Sequence, residues 1–339
     1  MTPRPPLVSV CIANYNGMGV LDDCLQSVLQ QEGDIPLEIL VHDDASSDDS
    51  VAYIRDRYPT ARLIESKSNL GFCVANNRMV AEARGKYLLL LNNDAALHAD
   101  ALQALLCETG RVGEPLILGL PQYDAASGEL IDRGCLLDPF FNPVPNLRVG
   151  RDEVAMVIGA CLWIPKSLWD ELEGFPEWFG SIAEDMYLCC RTRLAGHPVR
   201  VLPVSGYRHW QGRAFGGNRI KDGRLDTTFR RRALTERNKT FVMVLTCPMP
   251  QFLVVFPLHV VLICLVGLLV ATLKWDISVW RRIYAPLVPA LWRARSRLSF
   301  YRREIQRSRR IGLMKWLSVF MVLPRKIVML IRHGLPEIR

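Results

Sequence analysis

Five acidic side chains and one histidine in this 339-residue chain stand where they could act together. Asp94 closes the apolar run Tyr87-Leu88-Leu89-Leu90-Leu91 after Asn92 and Asn93. A carboxylate at such a strand end can bind a divalent cation that bridges a diphosphate, or it can cap the next helix. Asp43 and Asp44 follow a second apolar run, Leu37–Val41. There a carboxylate can accept the imide N–H of a pyrimidine or a ribose hydroxyl, or close a turn with Ser46, Ser47 and Asp48. Glu184 and Asp185 open a helix-like segment, as general bases toward a hydroxyl or as complements to the helix dipole. His209 can add an imidazole ligand to a metal, although a lone histidine is more often structural. Holding a diphosphate, stabilising it as it leaves, recognising a base and deprotonating an acceptor are the four tasks of sugar transfer from a nucleotide.

The elements that must position these groups alternate in the manner of a parallel α/β sheet. Leu7–Ile12, Leu37–Val41, Arg62–Glu65 and Tyr87–Leu91 read as strands, the last as the sheet centre. Between them, Leu21, Cys24, Leu25, Val28 and Leu29 share one helical stripe, and Val51 and Ile54 face inward from the next helix. The helix after Asn69-Leu70-Gly71 is expected to stop at Gly85 in a left-handed C′ position. A helix through Ala101, Leu102, Leu105 and Leu106 and a strand at Leu116–Leu120 complete this half. Ligands of open α/β sheets bind outside the carboxyl ends of the strands, where the polar clusters lie.

Residues 121–150 read as a long loop or hairpin, and Val154–Pro165 as an apolar strand broken at Gly159-Ala160. Ser167–Leu172 reads as a short helix closed by Gly174, followed by a helix from Glu184 to Gly196 and a strand at Val199–Leu202.

In that order, five segments resemble a family 2 glycosyltransferase of the GT-A fold, across residues 6–215. They are Val8-Ser9-Val10-Cys11-Ile12-Ala13-Asn14-Tyr15-Asn16, His42-Asp43-Asp44-Ala45-Ser46-Ser47-Asp48, Asn69-Leu70-Gly71-Phe72, Leu91-Asn92-Asn93-Asp94 and Ala183-Glu184-Asp185. The resemblance implies a Rossmann-like, mostly parallel sheet flanked by helices, within a catalytic domain of residues 1–240. It implies that Asn14 and Tyr15, with Asp43, face the base and ribose, with Ala13, Asp44, Asn69, Gly71, Asn76, Asn77 and Asn93 completing the nucleotide pocket. Asp94 would take the last position of the metal motif, with His209 as a further ligand, for Mn2+ or Mg2+. Asp185, beside Glu184, would be the base for in-line attack, with inversion at the anomeric carbon. Asn92 stands where many relatives have Asp, a form similar to the rhamnosyltransferase-like branch that often uses dTDP-rhamnose. Tyr187 also departs from that branch, which often has another Asp there.

The ten cysteines are scattered without a CxxC, and buried reduced thiols are expected. No apolar run precedes the first strand, so no cleaved secretory signal is expected, and the compartment reads as the cytosol. From Lys274 onward, 16 lysines and arginines face three acids, a net of +13 that leaves −5 on residues 1–273. With long apolar runs interrupting it, that tail suits anionic membrane lipid and argues against nucleic acid.

Phe252–Leu273 carries no charge and is long enough to cross a bilayer. A single crossing would put Arg281, Arg282, Arg293, Arg295 and Arg297 outside, against the positive-inside rule. A re-entrant or in-plane helix is therefore expected. Ile311–Ile331, with Lys315, Arg325 and Lys326, reads as interfacial. Residues 241–339 are thus expected to form a basic, apolar, membrane-associated helical region at the cytoplasmic face of the inner or plasma membrane. There the partners would be a nucleotide-sugar donor and a lipid-linked or cell-envelope glycan acceptor. The other reading of these helices is mutual burial or a homo-oligomer interface. A nucleotidyltransferase would need a Gly-rich N-terminal loop, and a dinucleotide-binding dehydrogenase a GxGxxG, neither of which follows the first strand. A membrane-docked scaffold with a weak or inactive transferase fold is the non-catalytic alternative.

Overall fold

Val8, Val10, Cys11 and Ile12 are buried on both faces of their strand, as a near-continuous apolar run requires inside a parallel sheet. A computed structural model describes residues 5–210, 217–221, 224–334 and 337–338. The chain groups into two units: residues 1–135, 145–192 and 197–214, and residues 136–144, 193–196 and 215–339.

In the first unit the order is β1 (Val8–Asn14), α1 (Leu21–Leu29), β2 (Leu37–Asp43), α2 (Ser50–Arg57), β3 (Arg62–Glu65), α3 (Phe72–Glu82) and β4 (Tyr87–Asn92). There follow β5 (Ala95–Leu97), α4 (Ala101–Val112), β6 (Ile117–Gly119), β7 (Gln122–Asp124) and β8 (Leu130–Asp132). The short strands β9 (Cys135–Leu137) and β10 (Pro143–Pro145) belong mostly to the second unit, and the first resumes with β11 (Cys161–Pro165), α5 (Lys166–Glu171), α6 (Glu184–Leu194), β12 (Val199–Val201) and β13 (Tyr207–His209).

A seven-stranded sheet runs β12-β6-β11-β4-β1-β2-β3, with β4 at its centre as expected. β1 pairs in parallel with β2 and β4, in a register that sets Asn14 level with Asp43 and Ala13 level with Asn92. β11 alone runs antiparallel to both its neighbours, β4 and β6. A second sheet, β5-β13-β7-β8, pairs His209 with Ala95, the residue after Asp94. The hairpin expected in residues 121–150 is β7 and β8.

Four local expectations change. Leu29 is half exposed because its helical position lies at the flank of the stripe made by Leu21, Cys24, Leu25 and Val28. Of the expected strand Val154–Pro165, Cys161–Pro165 forms a continuous strand, since residues 154–160 form an irregular lead-in that carries Gly159 and makes a single bridge, from Met156 to Cys135. The third helix ends at Glu82, and Gly85 is not left-handed. Its glycine is required by close approach: a Cβ there would lie 2.5 Å from the Ser9 backbone nitrogen. All ten cysteines are free, but Cys107 is exposed and Cys264 half-buried rather than buried.

The second unit contains β14 (Gly217–Lys221), β15 (Arg224–Thr227), α7 (Phe229–Thr246), α8 (Gln251–Leu273), α9 (Ile277–Val279), α10 (Leu287–Arg307), α11 (Leu313–Leu317) and α12 (Arg325–His333). Thr228 caps α7 by accepting from the Arg231 N–H at 3.1 Å. Inside the unit, Glu236 is almost fully buried and is held by Lys239 at 2.7 Å, Lys326 at 2.8 Å and Arg232 at 3.2 Å. Those cations hold its carboxyl well below the usual range, against the opposing effect of burial. Lys239 also donates to Asn142, which donates to Asp138. A buried charge is tolerable only in such a paired network.

Among the described residues, α8 is the one helix long and apolar enough to cross a membrane. It buries His259, Ile263, Gly267, Val270 and Ala271, while Val254, Leu258, Val261, Leu265 and Leu268 make an exposed stripe along its other side. The expected interfacial stretch 311–331 is broken into α11 and the start of α12, with exposed Met314, Val322, Leu323 and Ile327.

Candidate active site

The polar groups at the ends of β1, β2 and β4 bond to one another before any ligand is considered. Asn14 donates to Asp43 Oδ1 at 2.9 Å, and Asn93 donates to Asn14 Oδ1 at 2.8 Å. Asp43 also accepts from the Ser46 N–H at 2.9 Å and the Ser46 hydroxyl at 2.6 Å. Asn14, Asp43 and Asn93 are buried, so each side chain is fixed by this chain of bonds. Ala13 is half-buried beneath them, and Tyr15 projects as an exposed ring. Gly17 packs directly on the asparagine pair, and a Cβ there would fall 2.2 Å from both Asn14 Oδ1 and Asn93 Nδ2. Gly17→Ala is therefore expected to split the pair and destabilise the fold by about 1–3 kcal/mol. Thermal denaturation of the variant, read beside its nucleotide affinity, checks both effects.

Asp44 points elsewhere. Its two carboxylate oxygens accept from the Leu70 and Gly71 N–H groups at 2.7 and 2.8 Å. It positions the Asn69-Leu70-Gly71 turn, at which Asn69 is exposed and Gly71 adopts φ 91°. A Cβ at Gly71 would meet the Gly180 carbonyl oxygen at 2.9 Å, so glycine is needed for that contact. Cys73 N–H donates to the same carbonyl at 3.0 Å and Phe72 N–H to the Ser181 hydroxyl at 3.3 Å. Asn76 donates back to the Phe72 carbonyl within its own helix. Asn77 exchanges two bonds with the Phe175 backbone, at 2.9 and 3.1 Å. These groups fasten the loop that leads to the acidic pair.

That loop is strained. Ile182 and Ala183 both lie at positive φ, 73° and 68°, a region costly for a β-branched residue. Glu184 and Asp185 then open α6 with different exposures: Glu184 is buried and Asp185 is half-buried. Asp185 accepts from its neighbour's N–H, Met186, at 2.7 Å and from Gly159 N–H at 3.0 Å. The adjacent Ala160 carbonyl accepts from Asn92 N–H at 3.0 Å, so the Gly159-Ala160 break links the base candidate to the end of β4. The break was visible in the sequence, but Gly159 as a donor was not. Tyr187 packs against Phe179 and receives a bond from Arg191 at 3.2 Å.

Asp94 and His209, both buried, meet at 3.1 Å between Oδ1 and Nε2. The other ring nitrogen, Nδ1, is buried without a hydrogen-bond partner. Among the described residues no group of three or more His, Cys, Asp or Glu converges. Cys24, which donates to the Asn92 carbonyl, is held protonated by burial, with the Asp94 charge adding to the upward shift. One carboxylate and one imidazole suit a hard cation that takes its remaining ligands from water and phosphate oxygens.

Residues 9–119 match the family model described as glycosyl transferase family 2. The chain carries a glycosyltransferase family 2 domain. The chain is 30% identical to the chondroitin synthase of Escherichia coli over 192 residues, covering 55% of this chain and 26% of that protein. It is 26% identical to the N-acetylglucosaminyl-diphospho-decaprenol L-rhamnosyltransferase of Mycobacterium tuberculosis over 212 residues, covering 53% and 69% of the two chains. The chain spans 33%, 26% and 11% of the first curated relatives it matches. By shape, the glycosyltransferase fold is shared with the crystal structure of GalNAc-T7 with UDP, GalNAc and Mn2+, at a TM-score of 0.56 and 16% identity. That likeness covers 71% of this chain and 48% of the other.

Proposed function

We propose that this chain is an inverting glycosyltransferase that moves a sugar from a nucleotide donor to a lipid-linked or cell-envelope glycan at the cytoplasmic membrane face. The observation that carries the reading is the bonded array Asn14–Asp43–Asn93 at the strand ends, beside the buried Asp94–His209 pair. Asp43 and Asn14 hold the base and ribose, and the exposed Tyr15 ring covers them. Asp94 and His209 would hold Mn2+ or Mg2+, which supplies charge neutralisation to the departing diphosphate.

Asp185 takes the proton of an acceptor hydroxyl as that oxygen bonds to the anomeric carbon. The bond from that carbon to the diphosphate breaks on the opposite face, the nucleoside diphosphate leaves, and configuration inverts. Of the two acids, Asp185 suits the task because it reaches solvent while Glu184 is buried.

Asn92 at the metal motif and the similarity to a rhamnosyltransferase favour dTDP-rhamnose as donor. The exposed apolar stripe of α8 and the +13 tail favour a membrane surface, with α8 lying in its plane. The test is release of nucleoside diphosphate from dTDP- and UDP-sugars by the full chain in lipid with a lipid-linked acceptor. Nuclear magnetic resonance of the product should show the anomeric configuration opposite to that of the donor. A product that retains it would reject the assigned role of Asp185.

A further inference from the structure

α10 carries a basic pocket that the transfer chemistry does not use. Met249, Ser299, Arg302, Arg303, Gln306 and Arg309 line a cavity of about 290 Å³, and no acidic side chain is among them. Two of these side chains are fixed by the end of α7. Arg302 donates to the carbonyls of Val244 and Cys247, and its guanidinium lies 3.9 Å from the centre of the Phe252 ring. Gln306 donates to the carbonyls of Leu245 and Thr246, at 3.2 Å each. Arg302 keeps its other terminal nitrogen, Nη2, out of solvent and without a hydrogen-bond partner.

Three guanidinium groups and a hydroxyl around one cavity match the oxygens of a phosphate group, which arginine forks bind in pairs. The surroundings say what else the ligand carries. Phe252 is the second residue of the uncharged α8, where Leu253 and Val254 are 63% and 68% exposed, and the exposed Phe300 follows Ser299 on α10. A free anion gains nothing from those apolar neighbours, whereas an amphipath can lay its hydrocarbon on them.

We propose that this pocket binds the phosphate headgroup of an anionic lipid, seating the start of α8 at the bilayer surface. The inference rests on the membrane reading given above and adds to it a defined site. It replaces diffuse attraction of the basic tail by a specific contact through Arg302, Arg303 and Arg309.

Sedimentation of the full chain with phosphatidylcholine vesicles, with and without phosphatidic acid, tests it. Arg302 also holds the end of α7, so the informative variant is the double substitution R303Q and R309Q. Its control is R295Q and R297Q, which removes equal charge from α10 outside the pocket. The pocket variant should lose about tenfold in affinity for phosphatidic acid vesicles and the control distinctly less. Equal losses in both would overturn the pocket and leave the membrane reading standing. Failure of the unaltered chain to bind either vesicle would overturn both. Displacement from phosphatidic acid vesicles by inorganic phosphate, with no preference for the lipid, would overturn the lipid assignment.

Discussion

Asp185→Asn should bind the donor nucleotide normally and transfer sugar about 10²–10⁴-fold more slowly. The substitution is nearly isosteric, so the oxygen that accepts from Gly159 N–H can stay in place. What it removes is the basicity needed to take the acceptor proton. Turnover should therefore fall while the nucleotide dissociation constant holds, the pattern of an interaction used only in the transition state. The strained approach through Ile182 and Ala183 supports this assignment, since backbone held at positive φ persists where surrounding contacts over-determine it. Here those contacts are the Asp44 clamp on Leu70 and Gly71 and the bonds of Cys73 and Phe72 to Gly180 and Ser181. Full activity in Asp185→Asn would move the base to another group, with Glu184 the first to examine.

The second large effect belongs to Asp94. Asp94→Ala deletes the single carboxylate of the metal pair and leaves His209 buried with neither of its ring nitrogens bonded to a side chain. Manganese-stimulated nucleotide affinity should drop by at least the ~10–100-fold that losing an outer-sphere partner costs. Binding in the absence of metal should change little, because Asn14, Asp43 and Asn93 are bonded to one another and not to Asp94. A variant that responds to manganese as the unaltered chain does would place the cation elsewhere.

Sequence and structure agree best where the signal is local. The apolar runs before Asn14, Asp43 and Asn92 end in polar residues, and parallel register then sets those ends side by side. Period and composition carry that much. They do not carry the choice of partner made by a buried polar side chain. Asp43 and Asp44 are adjacent and chemically identical, yet one joins the Asn14 array while the other clamps a turn 26 residues away. Asn76 and Asn77 likewise bond to Phe72 and Phe175, contacts decided by how α3 packs.

The Asp94–His209 pair depends on β5 and β13, strands of three residues each, too short to show a period. Their pairing spans more than a hundred residues of chain and is set by the β5-β13-β7-β8 sheet as a whole. Gly17 owes its identity to the side chains of Asn14 and Asn93, and Gly85 to the backbone of Val8 and Ser9, neighbours that no spacing rule reveals.

Calorimetric titration of the full chain in lipid with dTDP, UDP and GDP, each with and without manganese, tests the proposed activity most directly. Tight binding of one pyrimidine nucleotide that strengthens with manganese is the expected result. No binding of any of the three by folded protein would contradict it, leaving the strand-end acids as turns and caps and the chain as a membrane-docked scaffold.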